Sequence, residues 1–360
     1  TFARFQYTNS RDAQALDLSS ALNDTTITAT ECAGQPLIFD PASPTLNGNS
    51  AISNCEDYPS STYTLRDESF SETKVAPAGY AHYVVGNCYF AAGVEFPSSW
   101  DAQRLRSLSI ANTRAHGSPS TAILVEHPME NAEITFSNVS ATGTGDGITF
   151  TGPVVNSSLS INGSTVSTSL RGLYFKQSGP EVWHGNRLSL NEVAVSRGIT
   201  GVQFPAMSNT TVALTAVSAN VSSQALQFGP ALEQCDVSVT GLTVEGAPSY
   251  GLLFNGLDHS HVVVESSAVR GIAAFSLLFQ VSNSSVRIND VTVPVGLALE
   301  MNAATLADSE VTVTGCAAPW VYAAPAVGGS WHTFSVCPGV TATRSLSGAP
   351  SPSLTTTTSA

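Results

Sequence analysis

The chain is poor in charge and almost without lysine. Charged side chains make up 11% of its 360 residues, against about 25% in an average soluble domain. Lys occurs only at Lys74 and Lys176. With 14 basic and 27 acidic residues the formal charge is −13, which argues against nucleic acid and anionic membranes as partners. No apolar run approaches the ~18 residues of a membrane span, so no transmembrane segment is expected. No two cysteines form a CxxC, which weakens zinc and thioredoxin-like readings. A P-loop, a Gly-x-Ser-x-Gly elbow and a His-Glu-x-x-His are all missing, and neither cofactor nor metal is expected. What abounds is hydroxyl, with 84 Ser and Thr, in a chain whose 42% apolar content argues against wholesale disorder.

Seven Asn-x-Ser/Thr sequons begin at Asn23, Asn138, Asn156, Asn162, Asn209, Asn220 and Asn283. A Ser/Thr-rich chain generates such triplets freely, so each needs independent support. Of six cysteines, Cys32 with Cys55 and Cys316 with Cys337 are sequence neighbours that could form disulfides stapling the two ends of a fold. The chain opens Thr1-Phe2-Ala3, as a mature secreted protein does once its signal peptide is removed. A secreted or cell-surface location is expected.

A repeat runs through most of the chain. Apolar-x-apolar steps stand at Leu108/Ile110, Ile134/Phe136, Leu159/Ile161, Leu188/Leu190, Val212/Leu214, Val237/Val239, Val262/Val264, Val286/Ile288 and Val311/Val313. Successive steps are 24–29 residues apart, most of them 24 or 25. Val84 and Phe334/Val336 mark the flanking units. A second element comes about 14 residues later, at Gly147-Ile-Thr-Phe150, Gly172-Leu-Tyr-Phe175, Gly201-Val-Gln-Phe204, Ala225-Leu-Gln-Phe228, Gly251-Leu-Leu-Phe254 and Gly296-Leu-Ala-Leu299, with an earlier copy at Gly93-Val-Glu-Phe96. Alternation over three to five residues is strand period, and the leading glycine suits a tight bend. A unit this short cannot bury its own apolar face. Stacking it on its copies at about 4.8 Å does so. The expected fold is therefore an all-β parallel solenoid of about 24–25 residues per coil. Roughly eleven coils would form a rod of about 50 Å. Phe150, Phe175, Phe204, Phe228 and Phe254 should form a ring column.

This pattern resembles the right-handed parallel β-helix of the pectin-lyase-like superfamily, over about residues 80–340. It also resembles the β-helical surface glycoproteins of trypanosomatids called the dispersed gene family. The resemblance implies an N-terminal capping helix, which residues 10–22 fit: Ser10 can cap it and Ala15, Leu16, Leu18 and Leu22 supply apolar contacts. The organisation read from sequence is a cap over 1–80 with degenerate coils, a solenoid over 81–343, and a Ser/Thr/Pro tail over 344–360. The tail is of the O-glycosylated stalk type, with Thr355, Thr356, Thr357 and Thr358 as acceptors. A lipid anchor at its end is a further reading.

Enzymes of the resembled superfamily act on polysaccharides through carboxylates or calcium ligands on adjacent coils. The expected outward columns, Thr135, Ser160, Ser189, Ala213, Ser238, Val263, Arg287, Thr312 and Thr149, Tyr174, Gln203, Gln227, Leu253, Ala298, hold no carboxylate. A glycosidase needs two. The Asn-Thr-Asp, Asp-Asp, Gly-His-Gly and Arg-Ile-Lys motifs of polygalacturonases are missing as well. The catalytic candidates are Asp236 and His261, neighbours on successive coils with Glu265 farther along. They read either as a surface ion pair or as a general-base pair. His259 and His261 have same-face spacing but supply only two metal ligands. Ser71-Glu-Thr-Lys74 and Gly143-Thr-Gly145-Asp-Gly147 occur once each and read as chance and as a plain turn.

Asn131, Asn156, Gly185, Asn209, Gln234, His259, Asn283 and Asp308 form one more column. Its asparagines either make an inward amide ladder or, where they are sequons, carry sugar along one edge. The expectation is a non-enzymatic extracellular structural or surface glycoprotein that assembles with copies of itself or with other glycoproteins, or is displayed on a stalk. The alternatives are a polysaccharide lyase or hydrolase, and a carbohydrate-binding adhesin using outward Tyr174, Trp183 and Trp320.

Overall fold

A computed structural model describes residues 62–315, with breaks at 77–80, 98–104, 177–182, 247, 294–296 and 301–304, together with short strands within 22–53 and 321–343. The fold is an all-β parallel solenoid. One coil serves for all. It has an entry strand Val154–Val155, a middle strand Ser158–Asn162, an exit strand Thr165–Thr168 and a back strand Arg171–Phe175. Entry, middle and exit strands stack with their copies into a 28-stranded sheet that bends around the rod. Back strands form a separate sheet of twelve. Among the described residues there is no helix.

The alternation of the middle strand sets the register. Leu159 and Ile161 point inward, pairing with Ile134 and Phe136 below and Leu188 and Leu190 above. Ser158, Ser160 and Asn162 face outward. A one-residue slip would exchange the two sets, so every coil locks in phase with the next. On the back strands Phe150, Phe175, Phe204, Phe228 and Phe254 form the expected column. Successive ring centroids are 5.3, 5.3, 4.7 and 4.6 Å apart, with interplanar angles of 6–12°. Phe136 meets one end of the stack edge-on, and Trp183 meets Phe175 the same way.

The bends on either side of the middle strand are made by single left-handed residues. The entry corner holds Asn131, Asn156, Gly185, Asn209, Gln234, His259, Asn283 and Asp308, all with φ between 46° and 67°. The exit corner holds Asp67, Asn87, Asn112, Asn138, Gly163, Glu192, Ala216, Gly241, Ser266, Asp290 and Gly315. An L-residue with a Cβ costs roughly 1–2 kcal/mol in this region, and Asn and Asp pay least after Gly. The expected asparagine column is therefore a column of corners. Its asparagine side chains are exposed, so the inward amide ladder is ruled out.

From Ser157 to Ser309, the residue after each entry corner carries the inward polar ladder instead. The backbone N–H of Ala132 donates to Ser157 Oγ (3.0 Å), that of Ser157 to Asn186 Oδ1 (2.9 Å), that of Cys235 to Ser260 Oγ (3.1 Å) and that of Ser260 to Ser284 Oγ (3.0 Å). Each hydroxyl in turn donates to a carbonyl two residues back, as Ser157 does to Val155 and Ser309 to Ala307. These N–H groups belong to buried residues and would otherwise be stranded, at about 1–3 kcal/mol each.

Several expectations are corrected. The coil below Leu108 pairs through Tyr83, with Val84 facing outward against Ser109; Tyr83-Val84-Val85 is apolar throughout, so alternation could not choose the phase. Leu299 pairs with Phe275, which pairs with Leu252, so the Gly296 copy is offset by two residues. Back strands Ile123–Val125 and Ala273–Leu277 complete the column. Each follows or contains alanine, as the Ala225 copy does, where most of the recognised copies carry glycine. That glycine does not make a bend: a Cβ on Gly172 would overlap the Val195 side chain and the Gly201 carbonyl. Trp183 is buried in the core, and so are Thr149 and Leu253 of the expected outward column.

Thr62–Arg66 pairs with His82–Gly86, so stacked strands begin within the segment read as a cap. Leu22, last of the expected helix, starts a short strand paired with Leu46–Asn47. Residues 10–21 and 344–360 lie outside the described residues.

Candidate functional site

The outward face of the middle strands brings Asp236 and His261 side by side: Asp236 is the register partner of His261, and His261 that of Ser285. A carboxylate, an imidazole and a hydroxyl thus stand on three successive coils. All the contact is on one side. His261 Nδ1 is hydrogen-bonded to Ser285 Oγ, while neither an ion pair nor a hydrogen bond links Asp236 to His261. The expected ion pair does not form, because the ring turns to the hydroxyl one coil on. Asp236 and His261 are both exposed. Glu265 pairs in register with Thr240 and Asn289.

The same arrangement recurs along the rod. His82 Nδ1 meets Ser107 Oγ at 2.8 Å, His116 meets Thr142 at 3.0 Å, and His184 meets Ser208 at 2.9 Å. Each imidazole leans to a hydroxyl on the following coil. This is how a histidine satisfies itself on a hydroxyl-rich ladder, and His261 is one case among four. His259 occupies a left-handed corner, and its Nδ1 lies 3.1 Å from Asp258. The Asp258 carboxyl also accepts from Ser282 Oγ at 2.7 Å. That hydrogen bond, ahead of His259, holds Asp258 below the ordinary carboxylate range. Among the described residues no three His, Cys, Asp or Glu side chains are placed to hold a metal.

Asp146, in the single glycine-rich turn, is committed to Arg171. The guanidinium Nε and Nη2 each donate to one of its carboxylate oxygens at 2.9 Å. Arg171 also lies over the Tyr174 ring, 3.6 Å from its centroid, which covers the aromatic face an adhesin would use. Lys74 stands over the Phe70 ring at 5.1 Å. Trp320 lies outside the described residues.

Asn138, Asn156, Asn209, Asn220 and Asn283 are exposed, and Asn162 is half-buried with its amide donating to Ser160 Oγ at 2.9 Å. Asn23 lies in a strand whose backbone alone is described. Cys32, Cys55, Cys316, Cys337 and Thr355–Thr358 lie outside the described residues. Cys88 and Cys235 are free buried thiols. Cys235 fills a hydroxyl slot of the entry ladder, with its thiol directed at the Glu233 carbonyl at 3.3 Å, and burial raises its pKa above the usual thiol value.

One titratable group escapes the sequence reading. His127 is fully buried, both ring nitrogens lack a partner, and its ring stands 5.7 Å from Tyr83. Burial lowers its pKa from 6.5 to about 4. Trp183 Nε1 and Thr149 Oγ1 are the other buried side-chain atoms without partners among the described residues. No family model matches the chain, and neither does any curated protein or solved structure.

Proposed function

We propose that this chain is a non-enzymatic structural rod of an extracellular surface, built to be displayed or to assemble with its own kind. The observation that carries the reading is the way polar groups are used. His82, His116, His184 and His261 are each spent on a neighbouring hydroxyl, His259 lies against Asp258, Asp146 is spent on Arg171, and the buried hydroxyls close the corners. A reactive centre requires groups that converge and are held in reserve; here they are distributed at one pitch along the rod. Likeness in repeat and texture to the β-helical surface glycoproteins of the trypanosomatid dispersed gene family supports the surface role, with sequons and the Thr-rich tail as sugar acceptors. Partners would be further copies or other glycoproteins.

A polysaccharide lyase or hydrolase is the second reading, favoured by the alignment of Asp236, His261 and Ser285 on consecutive coils. A cleavage screen over neutral and acidic polysaccharides, run on the native protein with Asp236→Asn and His261→Ala, separates the two. No turnover is expected. Turnover abolished by both substitutions would overturn the structural reading.

A further inference from the structure

The two left-handed corners differ in the residue that stands two positions beyond each of them. At the entry corner, that residue is the first outward one of the middle strand: Glu133, Ser158, Arg187, Thr211, Asp236, His261, Ser285 or Glu310. Carboxylates, a guanidinium and an imidazole all fit there, so the fold places no demand for a hydroxyl. Yet the hydroxyls Ser158, Thr211 and Ser285 occur only where the corner residue is asparagine, at Asn156, Asn209 and Asn283. Where the corner is Gly185, Gln234, His259 or Asp308, the same position is Arg187, Asp236, His261 or Glu310, and of the four asparagine corners Asn131 alone lacks the hydroxyl, with Glu133 in its place.

The exit corner is an internal control. Ser or Thr stands two residues after Asp67, Asn138, Gly163, Ala216, Gly241 and Asp290, whereas Asn87, Asn112, Glu192 and Ser266 are succeeded at that distance by Tyr89, Arg114, Ala194 and Ala268. There the hydroxyl stands beyond Asp, Asn, Gly and Ala corners alike and is not tied to asparagine. The sequon at Asn138 is what such a column yields by coincidence. The entry-corner sequons are not accounted for in that way, and neither the corner geometry nor the buried ladder explains the extra hydroxyl.

We infer that Asn156, Asn209 and Asn283 are N-glycan attachment sites, aligned as one sugar stripe along the entry edge. The inference rests on the extracellular reading. The amide nitrogen attacks C1 of a diphosphate-linked oligosaccharide. The new N–C bond forms as the C–O bond to diphosphate breaks, the amide loses one proton, and the carrier diphosphate leaves. The hydroxyl two residues on makes the asparagine an acceptor. Left-handed corners turn all three side chains outward into solvent. Two coils separate the first pair and three the second, so the sugars stand about 10 and 14 Å apart at ~4.8 Å per coil. They would keep this edge from packing against a neighbour.

The test is peptide mapping of the native protein after enzymatic deglycosylation in heavy-oxygen water, which marks each formerly glycosylated Asn as labelled Asp, together with cell fractionation. Label at Asn156, Asn209 and Asn283 is expected. Label confined to the other sequons of an extracellular protein overturns the stripe and leaves the extracellular reading standing. An intracellular protein without label anywhere overturns both. The triple variant Asn156→Gln, Asn209→Gln, Asn283→Gln supplies a second readout. Gln234 already occupies this corner, so the fold tolerates glutamine. Loss of three glycan masses with an unchanged far-ultraviolet dichroism spectrum is expected, and an unchanged mass overturns the inference.

Discussion

Acidification should weaken the rod through His127 before it reaches most carboxylates. In the folded chain this imidazole is fully buried, has no partner on either nitrogen and stays neutral down to about pH 4. In the unfolded chain it takes up a proton near 6.5. Because the folded pKa is the lower one, the unfolded state binds more protons between the two values, and stability falls as pH drops from 6.5 towards 4. The gap between 6.5 and about 4 is worth roughly 3 kcal/mol at 1.36 kcal/mol per pH unit. Other groups titrate over the same range, so the contribution is isolated with His127→Leu, which keeps an apolar side chain in the core. Denaturant unfolding of both proteins at pH 7.5 and pH 4 gives the difference of differences. The variant should lose about 3 kcal/mol less than the native chain on acidification. Equal losses, or a His127 resonance titrating near 6.5 in the folded protein, would refute the assignment.

Phe204→Ala opens the ring stack between Phe175 and Phe228 and should cost about 4 kcal/mol. Phe204→Leu, which keeps apolar bulk but loses the stacking, should cost about 1–2 kcal/mol by denaturant midpoint. Cys235→Ser should preserve the ladder and leave stability within about 1 kcal/mol, whereas Cys235→Val strands the Thr210 N–H that its sulfur receives and should cost about 1–3 kcal/mol. The Cys235 thiol should also resist aromatic disulfide reagents at pH 8 until the chain unfolds. His261→Ala removes one exposed imidazole–hydroxyl contact and should change stability by less than about 0.5 kcal/mol; a larger loss would show that the His261–Ser285 contact is more than surface pairing.

The parts of this fold that can be read from sequence are those with period. The inward columns from Leu108 to Val313 and the phenylalanine stack come from alternation and a constant coil length, and so does the adjacency of Asp236 and His261. Entry strands such as Val154–Val155 are two residues long, too short to alternate, so sequence leaves Trp183 outward when it in fact fills the core beside Phe175. The asparagine column is visible in the sequence, but its role depends on φ, which sequence does not display. Neighbouring residues divide the work: Asn156 turns the chain, and Ser157 feeds the ladder. The same limit applies at the candidate site, where register puts Asp236 beside His261 but the side-chain torsions, which sequence does not give, send the ring to Ser285. His127 carries no sequence signal at all, since its burial comes from the packing of a turn around Tyr83.

Electron microscopy of the protein on its native surface, and after gentle release from it, tests the structural role most directly. Rods packed side by side or end to end into a coat or filament are expected, with no cleavage of any polysaccharide offered. Dispersed single rods that cleave a polysaccharide, and lose that activity in His261→Ala, would contradict it.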